Sequence, residues 1–181
     1  MNKLVTFIIN NYSPRRLWVA LVATLIIMVV FAVLGTYIGV GQPINNSQET
    51  KMILDAMFNA SEEQMYEQLT AFGAEGRKLS LYSTLIADTF FPMAFGSFFC
   101  LLLASLYRES KYRMVILTPL LVVLFDYAEN LQIALLLINF PERLSLIAYA
   151  CNLCTMVKWV TLGFVILLIC VGFYRKKRAS S

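Results

Sequence analysis

The chain has 181 residues, of which 59% are hydrophobic and only 14% are charged, and its formal net charge is +4. About a quarter of the residues in a soluble domain are charged, so this composition excludes an ordinary soluble protein and indicates a membrane protein. Histidine is absent, which excludes the common histidine-containing zinc sites and histidine acid–base chemistry. We expect no metal site, no cofactor and no nucleic-acid partner.

Four apolar runs are long enough to cross a bilayer as helices. One sizeable polar segment, residues 41–78, separates the first run from the second, and the other connections are short. We therefore predict an all-α fold in a single membrane domain, residues 1–181. It is a four-transmembrane-helix bundle with a short helical extracytoplasmic loop between the first two helices. The predicted spans cover residues 17–40, 79–107, 114–139 and 146–174.

The polar segment contains the pattern of two short helices. Apolar side chains recur at helical spacing over residues 52–57. Further on, Ser61 and Gln64 match a capping box, and Met65 and Leu69 then fall on one face before Gly73 ends the helix. We expect both helices to lie on the outer membrane surface or over the mouth of the bundle.

The distribution of basic residues predicts the orientation in the membrane. Ten basic residues lie on one side of the predicted spans and four on the other, and the side with the excess is usually cytoplasmic. We therefore predict an integral protein of the bacterial inner membrane, with both termini cytoplasmic and the segment 41–78 external. The ten are Lys3, Arg15, Arg16, Arg108, Lys111, Arg113, Arg175, Lys176, Lys177 and Arg178; the four are Lys51, Arg77, Lys78 and Arg143.

The third predicted span contains an unusual polar group of residues. Asp126, Glu129 and Asn130 are spaced i, i+3 and i+4, so they share one face of the helix. A charge at the centre of a spanning helix costs about 2.5–3.5 kcal/mol on insertion scales, so this face must meet polar partners rather than lipid. The other spans offer Asp88 and Lys158. At about 1.5 Å per residue, these groups reach one layer near the middle of the bilayer.

These five residues are predicted to form a site for the head group of a ligand, a proton or a cation. Three carboxylates face one lysine, and full ionisation of all three would be very unfavourable in a medium of low dielectric constant. We therefore expect Lys158 to pair with one or two of them, and at least one carboxyl to be protonated or to bind a cation. Intramembrane ionisable groups commonly mark functional sites.

A second motif, Cys151 and Cys154, lies at the outer start of the fourth predicted span. A Cys-x-x-Cys at this place in a four-helix membrane protein resembles the vitamin K epoxide reductase family. The resemblance covers four residues and the topology, and it implies a redox-active pair. That family also uses cysteines in a loop, and residues 41–78 contain none. The pair would therefore have to react directly with a quinone or a partner. Two buried cysteines can equally be small packing residues.

Three classes of function follow. The first is a small membrane protein whose polar site binds a lipid-like or small polar ligand, a proton or a cation. The second is a membrane enzyme that acts on a lipid or quinone, through carboxylate acid–base chemistry or through the cysteine pair. The third is a structural or assembly subunit in which a buried ion-pair network fixes the packing of the helices. Membrane lipids are the expected surroundings in every case, and a homo-oligomer is compatible with each.

Overall fold

The computed structural model describes residues 3–44 and 50–179. Within these ranges all the regular secondary structure is helical and no strand is formed. The helices are α1 (Lys3–Asn11), α2 (Pro14–Ile38), α3 (Glu62–Ala71), α4 (Gly73–Tyr82), α5 (Asp88–Tyr107), α6 (Thr118–Asn139) and α7 (Ser145–Ala179).

Four helical stretches among the described residues are long and apolar enough to cross a membrane, which confirms the all-α architecture with four candidate spans. The second stretch begins at Gly73 rather than at residue 79, so residues 73–78 continue the helix instead of belonging to a loop. Gly73 does end α3 as predicted, with a φ of +66°, but the chain only changes direction there and resumes as α4. The four stretches are Pro14–Ile38, Gly73–Tyr107, Arg113–Asn139 and Ser145–Arg178.

The helix α2 stands at the margin of the bundle. Ser13 caps its start by accepting a hydrogen bond from the Arg16 amide, and Gly39 caps its end in the left-handed region, with a φ of +85°. It packs against α4 and α5, where Phe31 and Phe91 meet edge to face with their centroids 5.3 Å apart. Its described residues make at most marginal contact with α7. A gap therefore separates α2 from α7.

An irregular turn precedes Asp88. Residues Ser83–Ala87 form a π-helical turn that joins α4 to α5. One turn further along, Pro92 lacks an amide proton and cannot donate to the carbonyl of Asp88. The side chain of Asn130 on α6 takes that place, with Nδ2 donating to the Asp88 carbonyl over 3.3 Å. The hydrogen bond from Asn130 replaces the one that Pro92 cannot make, and it connects α5 to α6 at the level of Asp88.

Two apolar clusters lie on either side of the polar layer. One contains Leu69, Leu136 and Cys151, and the other contains Leu103, Val122 and Val165. Along both α6 and α7 the charged residues fall between the two clusters in sequence. The charges are therefore enclosed by packed apolar side chains on both sides.

The helix α3 lies over the connection between α6 and α7. Its capping box is present as predicted, since Ser61 and Gln64 bond each other's backbone amides. The hydroxyl of Tyr66 donates to the carbonyl of Glu142 over 2.9 Å and accepts from the Leu144 amide over 2.7 Å. These bonds fasten the polar segment to that end of the bundle.

The first helix expected in the polar segment is wrong in extent. Only a 3₁₀ turn forms, at Leu54–Ala56, and residues 45–49 lie outside the described part of the chain. The cause is the buried side chain of Gln68, which bonds the backbone at Met52 over 2.9 Å and at Thr50 over 3.4 Å. The chain is held extended there before it turns against α6.

Candidate functional site

The charged residues on α6 and α7 meet as predicted for a buried cluster. Lys158 on α7 is 6% exposed, and its Nζ lies 3.1 Å from Asp126 Oδ1. The same Nζ also forms an ion pair with Glu129 Oε2. Asp126 and Glu129 are one turn apart on α6, so a single lysine reaches both.

Glu129 is fully enclosed, with 0% of its surface exposed. Its Oε1 accepts a hydrogen bond of 2.5 Å from the hydroxyl of Thr155, which also donates to the carbonyl of Cys151. Its Oε2 contacts Lys158 as an ion pair without hydrogen-bond alignment. Both oxygens of this carboxylate therefore have a partner within the protein.

Replacing Thr155 with valine should lower the free energy of unfolding by about 1.5–3 kcal/mol, because it removes a buried hydrogen bond to a charged group without changing the side-chain shape. Unfolding by SDS titration in mixed micelles, followed by circular dichroism, measures this change. Thr155→Ser retains the hydroxyl and should lose much less. Equal losses for valine and serine would show that the hydroxyl of Thr155 contributes little.

Three of the predicted polar residues, Asp88, Asp126 and Asn130, are less completely paired than Glu129. Asp126 Oδ2 and Asn130 Oδ1 are buried and have no hydrogen-bond partner among the described residues. Asp88 is 8% exposed, and no hydrogen bond or ion pair joins its carboxylate to the described part of the chain. Only its backbone is tied to the cluster, through Asn130. The structure thus brings Asp126, Glu129 and Lys158 into contact and leaves the carboxylate of Asp88 apart from Lys158.

Sequence reasoning missed Asp55. The backbone carbonyl of this residue, in the turn at Leu54–Ala56, accepts from Trp159 Nε1 over 3.1 Å and lies 3.4 Å from Lys158 Nζ. Burial raises the pKa of its carboxyl, and the charge of Lys158 offsets this only in part. The one available signal was an acid in an otherwise apolar stretch, residues 52–58.

A cavity of about 670 Å³ borders on this cluster. Its walls come from all four spanning stretches and from the 3₁₀ turn, and most of the lining is apolar and aromatic. The ionisable residues of the lining are Asp55, Asp88, Asp126 and Lys158, and the hydroxyl residues include Ser80, Ser83 and Thr84. The cavity therefore combines an apolar body with a charged region at the depth of the cluster.

The helices α2 and α7, on the two sides of the gap, each form a wall of the cavity. The α2 wall includes Thr24, Met28, Phe31 and Ala32, and the α7 wall includes Trp159, Leu162 and Ile166. Because these helices make at most marginal contact in the described residues, no helix packing closes the cavity on this side.

The two cysteines of the Cys-x-x-Cys motif lie away from the cavity. Both are free thiols; Cys151 is buried and Cys154 is partly exposed. Cys154 Sγ accepts a weak hydrogen bond of 3.8 Å from Gln132 Nε2. Neither thiol is part of the cavity wall.

The acids of the site are not arranged as a metal centre. Among residues 3–44 and 50–179, no group of three or more histidine, cysteine, aspartate or glutamate side chains is placed to hold a metal ion.

Comparison of the chain with protein-family models, with curated proteins and with solved structures gave no match.

Proposed function

We propose that this chain is an integral membrane protein that binds a lipid-like amphiphile, with the polar head at Asp88 and Asp126 and the tail in the apolar cavity. The observation that carries the proposal is the carboxylate of Asp88, which is almost wholly buried in the cavity wall and has no described partner. A buried polar group left without a partner costs about 1–3 kcal/mol. A bound head group would remove that cost.

The dimensions of the cavity support the same function. Its volume of about 670 Å³ lies within the range of about 300–1,000 Å³ typical of small-molecule sites, which are also largely apolar with a few polar groups. The gap between α2 and α7 gives an amphiphile a path from the surrounding bilayer. A water-soluble ligand would not need an opening that faces the bilayer.

The ion-paired residues have a supporting part in this proposal. Glu129 and Lys158 are already partnered by each other, by Thr155 and by Asp126. They hold Asp126 at the cavity wall, while Asp88 and Asp126 meet the ligand. Cys151 and Cys154 have no role in this binding.

The proposal includes the orientation predicted from the basic residues. The ten-to-four asymmetry supports cytoplasmic termini in a bacterial inner membrane. On that orientation, α3 and the turn that carries Asp55 lie at the outer side of the bundle. Labelling of single cysteines introduced at Ala60 and at Ser110 distinguishes the two sides, because only the first should react with an impermeant reagent added to intact cells.

Photolabelling tests the binding function. The probes are dodecylamine and dodecanol, each with a diazirine near the end of the alkyl chain, added to the purified protein in a neutral detergent. At least one probe should label peptides from the cavity walls of α2, α5 and α7. Ala32→Trp places a large side chain on the cavity wall and should remove most of this labelling.

Val29→Trp is the matched control, because Val29 is an exposed residue of α2 that does not line the cavity. It should leave the cavity labelling unchanged. Labelling by neither probe inside the cavity, or equal labelling in both tryptophan variants, would refute the proposed function.

A further inference from the structure

We infer that the head group accepted by this cavity is a positively charged ammonium, held by the carboxylate of Asp88; the inference rests on the proposed function. The first step is the balance of charges around the cavity. Among the described residues, three carboxyl groups line the cavity, at Asp55, Asp88 and Asp126, against the single ammonium of Lys158. The fourth acid, Glu129, lies behind the wall and is paired with that same lysine.

The second step is that protein oxygens already surround the ammonium of Lys158. An alkylammonium group has three protons. Nζ already faces three protein oxygens, namely Asp126 Oδ1 at 3.1 Å, Glu129 Oε2 in ion-pair contact and the carbonyl of Asp55 at 3.4 Å. An anionic head group would therefore have to displace a partner of Lys158 and would meet the surrounding carboxyls.

The third step is that acceptors remain without donors. The carboxylate of Asp88 makes no hydrogen bond or ion pair with the described residues, and only the backbone carbonyl of Asp88 is bonded to the cluster. Asp88 is 8% exposed and forms part of the cavity wall. A ligand that brings hydrogen-bond donors and a positive charge would satisfy these oxygens, because hydrogen bonds between two charged groups are the strong ones.

The surroundings of Asp88 favour an organic ammonium over a metal cation. Phe91 and Phe95 follow Asp88 at i+3 and i+7, so the three share one face of α5, and all three line the cavity. Aromatic faces attract ammonium groups. A divalent cation such as calcium requires six to eight oxygen ligands, which this apolar wall does not provide.

The test compares three diazirine probes of equal chain length, an amine, an alcohol and a carboxylic acid, on the purified protein in neutral detergent. The amine should label the cavity with at least about tenfold higher apparent affinity than the alcohol, the gain expected from one hydrogen bond to a charged group. The acid should label it least. Asp88→Asn should reduce labelling by the amine to the level of the alcohol, and Glu75→Gln, at an exposed acid of α4, should change nothing.

The outcomes separate this inference from the proposed function. Equal cavity labelling by amine and alcohol, unaffected by Asp88→Asn, would overturn the ammonium assignment and leave the binding function standing. Displacement of the amine by sodium chloride, but not by choline chloride of equal ionic strength, would assign the site to an inorganic cation and also overturn it. Absence of cavity labelling by all three probes would refute the binding function itself.

Discussion

Replacing Lys158 with methionine should lower the free energy of unfolding by about 3–5 kcal/mol, because removal of one member of a buried ion pair leaves its partners uncompensated. Methionine fills a similar volume, so the loss reflects the charge. Asp126 and Glu129 would remain in an enclosed site, with Glu129 wholly shielded from solvent. SDS titration in mixed micelles measures the change.

Two further variants determine whether this loss comes from the unpaired acids. Lys78→Met removes an exposed charge from α4 and should have little effect. Adding Asp126→Asn and Glu129→Gln to Lys158→Met neutralises both acids and should restore much of the lost stability. A Lys158→Met protein as stable as the Lys78→Met protein would show that the ion pairs are energetically unimportant.

Replacing the whole cluster with apolar residues should have the opposite effect and raise the free energy of unfolding. The triple variant Asp126→Leu, Glu129→Met and Lys158→Met is expected to raise the free energy of unfolding by about 1–4 kcal/mol over the natural chain. Three charges no longer lose their hydration, and the new side chains have similar volumes. Thr155 retains its bond to the carbonyl of Cys151, and Trp159 retains its bond to the carbonyl of Asp55.

The sign of this second result discriminates between two classes of function. A more stable triple variant that no longer takes up the amine probe would mean that the charges reduce stability and serve binding. A triple variant as unstable as Lys158→Met alone would mean that the ion pairs hold the helices in register, as expected for a structural subunit. The same SDS titration and the same photolabelling provide both measurements.

The buried cluster could be predicted because hydrocarbon penalises charge so strongly. Asp126, Glu129 and Lys158 stand in apolar runs, where an uncharged residue would have a lower free energy of insertion into the membrane. Helical spacing places Asp126 and Glu129 on one face. Asp55 could not be found this way, since its apolar stretch is only seven residues long and lies outside the predicted spans, where an acid has no insertion cost to explain. Its position depends on Gln68, on another helix, which holds the preceding chain extended.

The separation of the Asp88 carboxylate from Lys158 also could not be predicted from the sequence. The depth of Asp88 followed from counting residues along a helix, but its distance from Lys158 depends on the rotation of α5 about its axis. The π-helical turn at Ser83–Ala87 changes the rotation of α5 just before Asp88, and no pattern in the sequence predicted this turn. The wall of the cavity, and the gap beside α2, likewise depend on how the helices pack rather than on their composition.

The short connection between α6 and α7 has a consequence for biosynthesis. Residues 140–144 join the two acids of α6 to the lysine of α7 within one helical hairpin. When α6 emerges from the ribosome, Asp126 and Glu129 have no counter-ion, and each charge costs about 2.5–3.5 kcal/mol at the centre of a helix on insertion scales. Lys158 is synthesised only after half of a further span. The insertion machinery should therefore retain α6 until α7 arrives and release the two helices into the lipid as a pair.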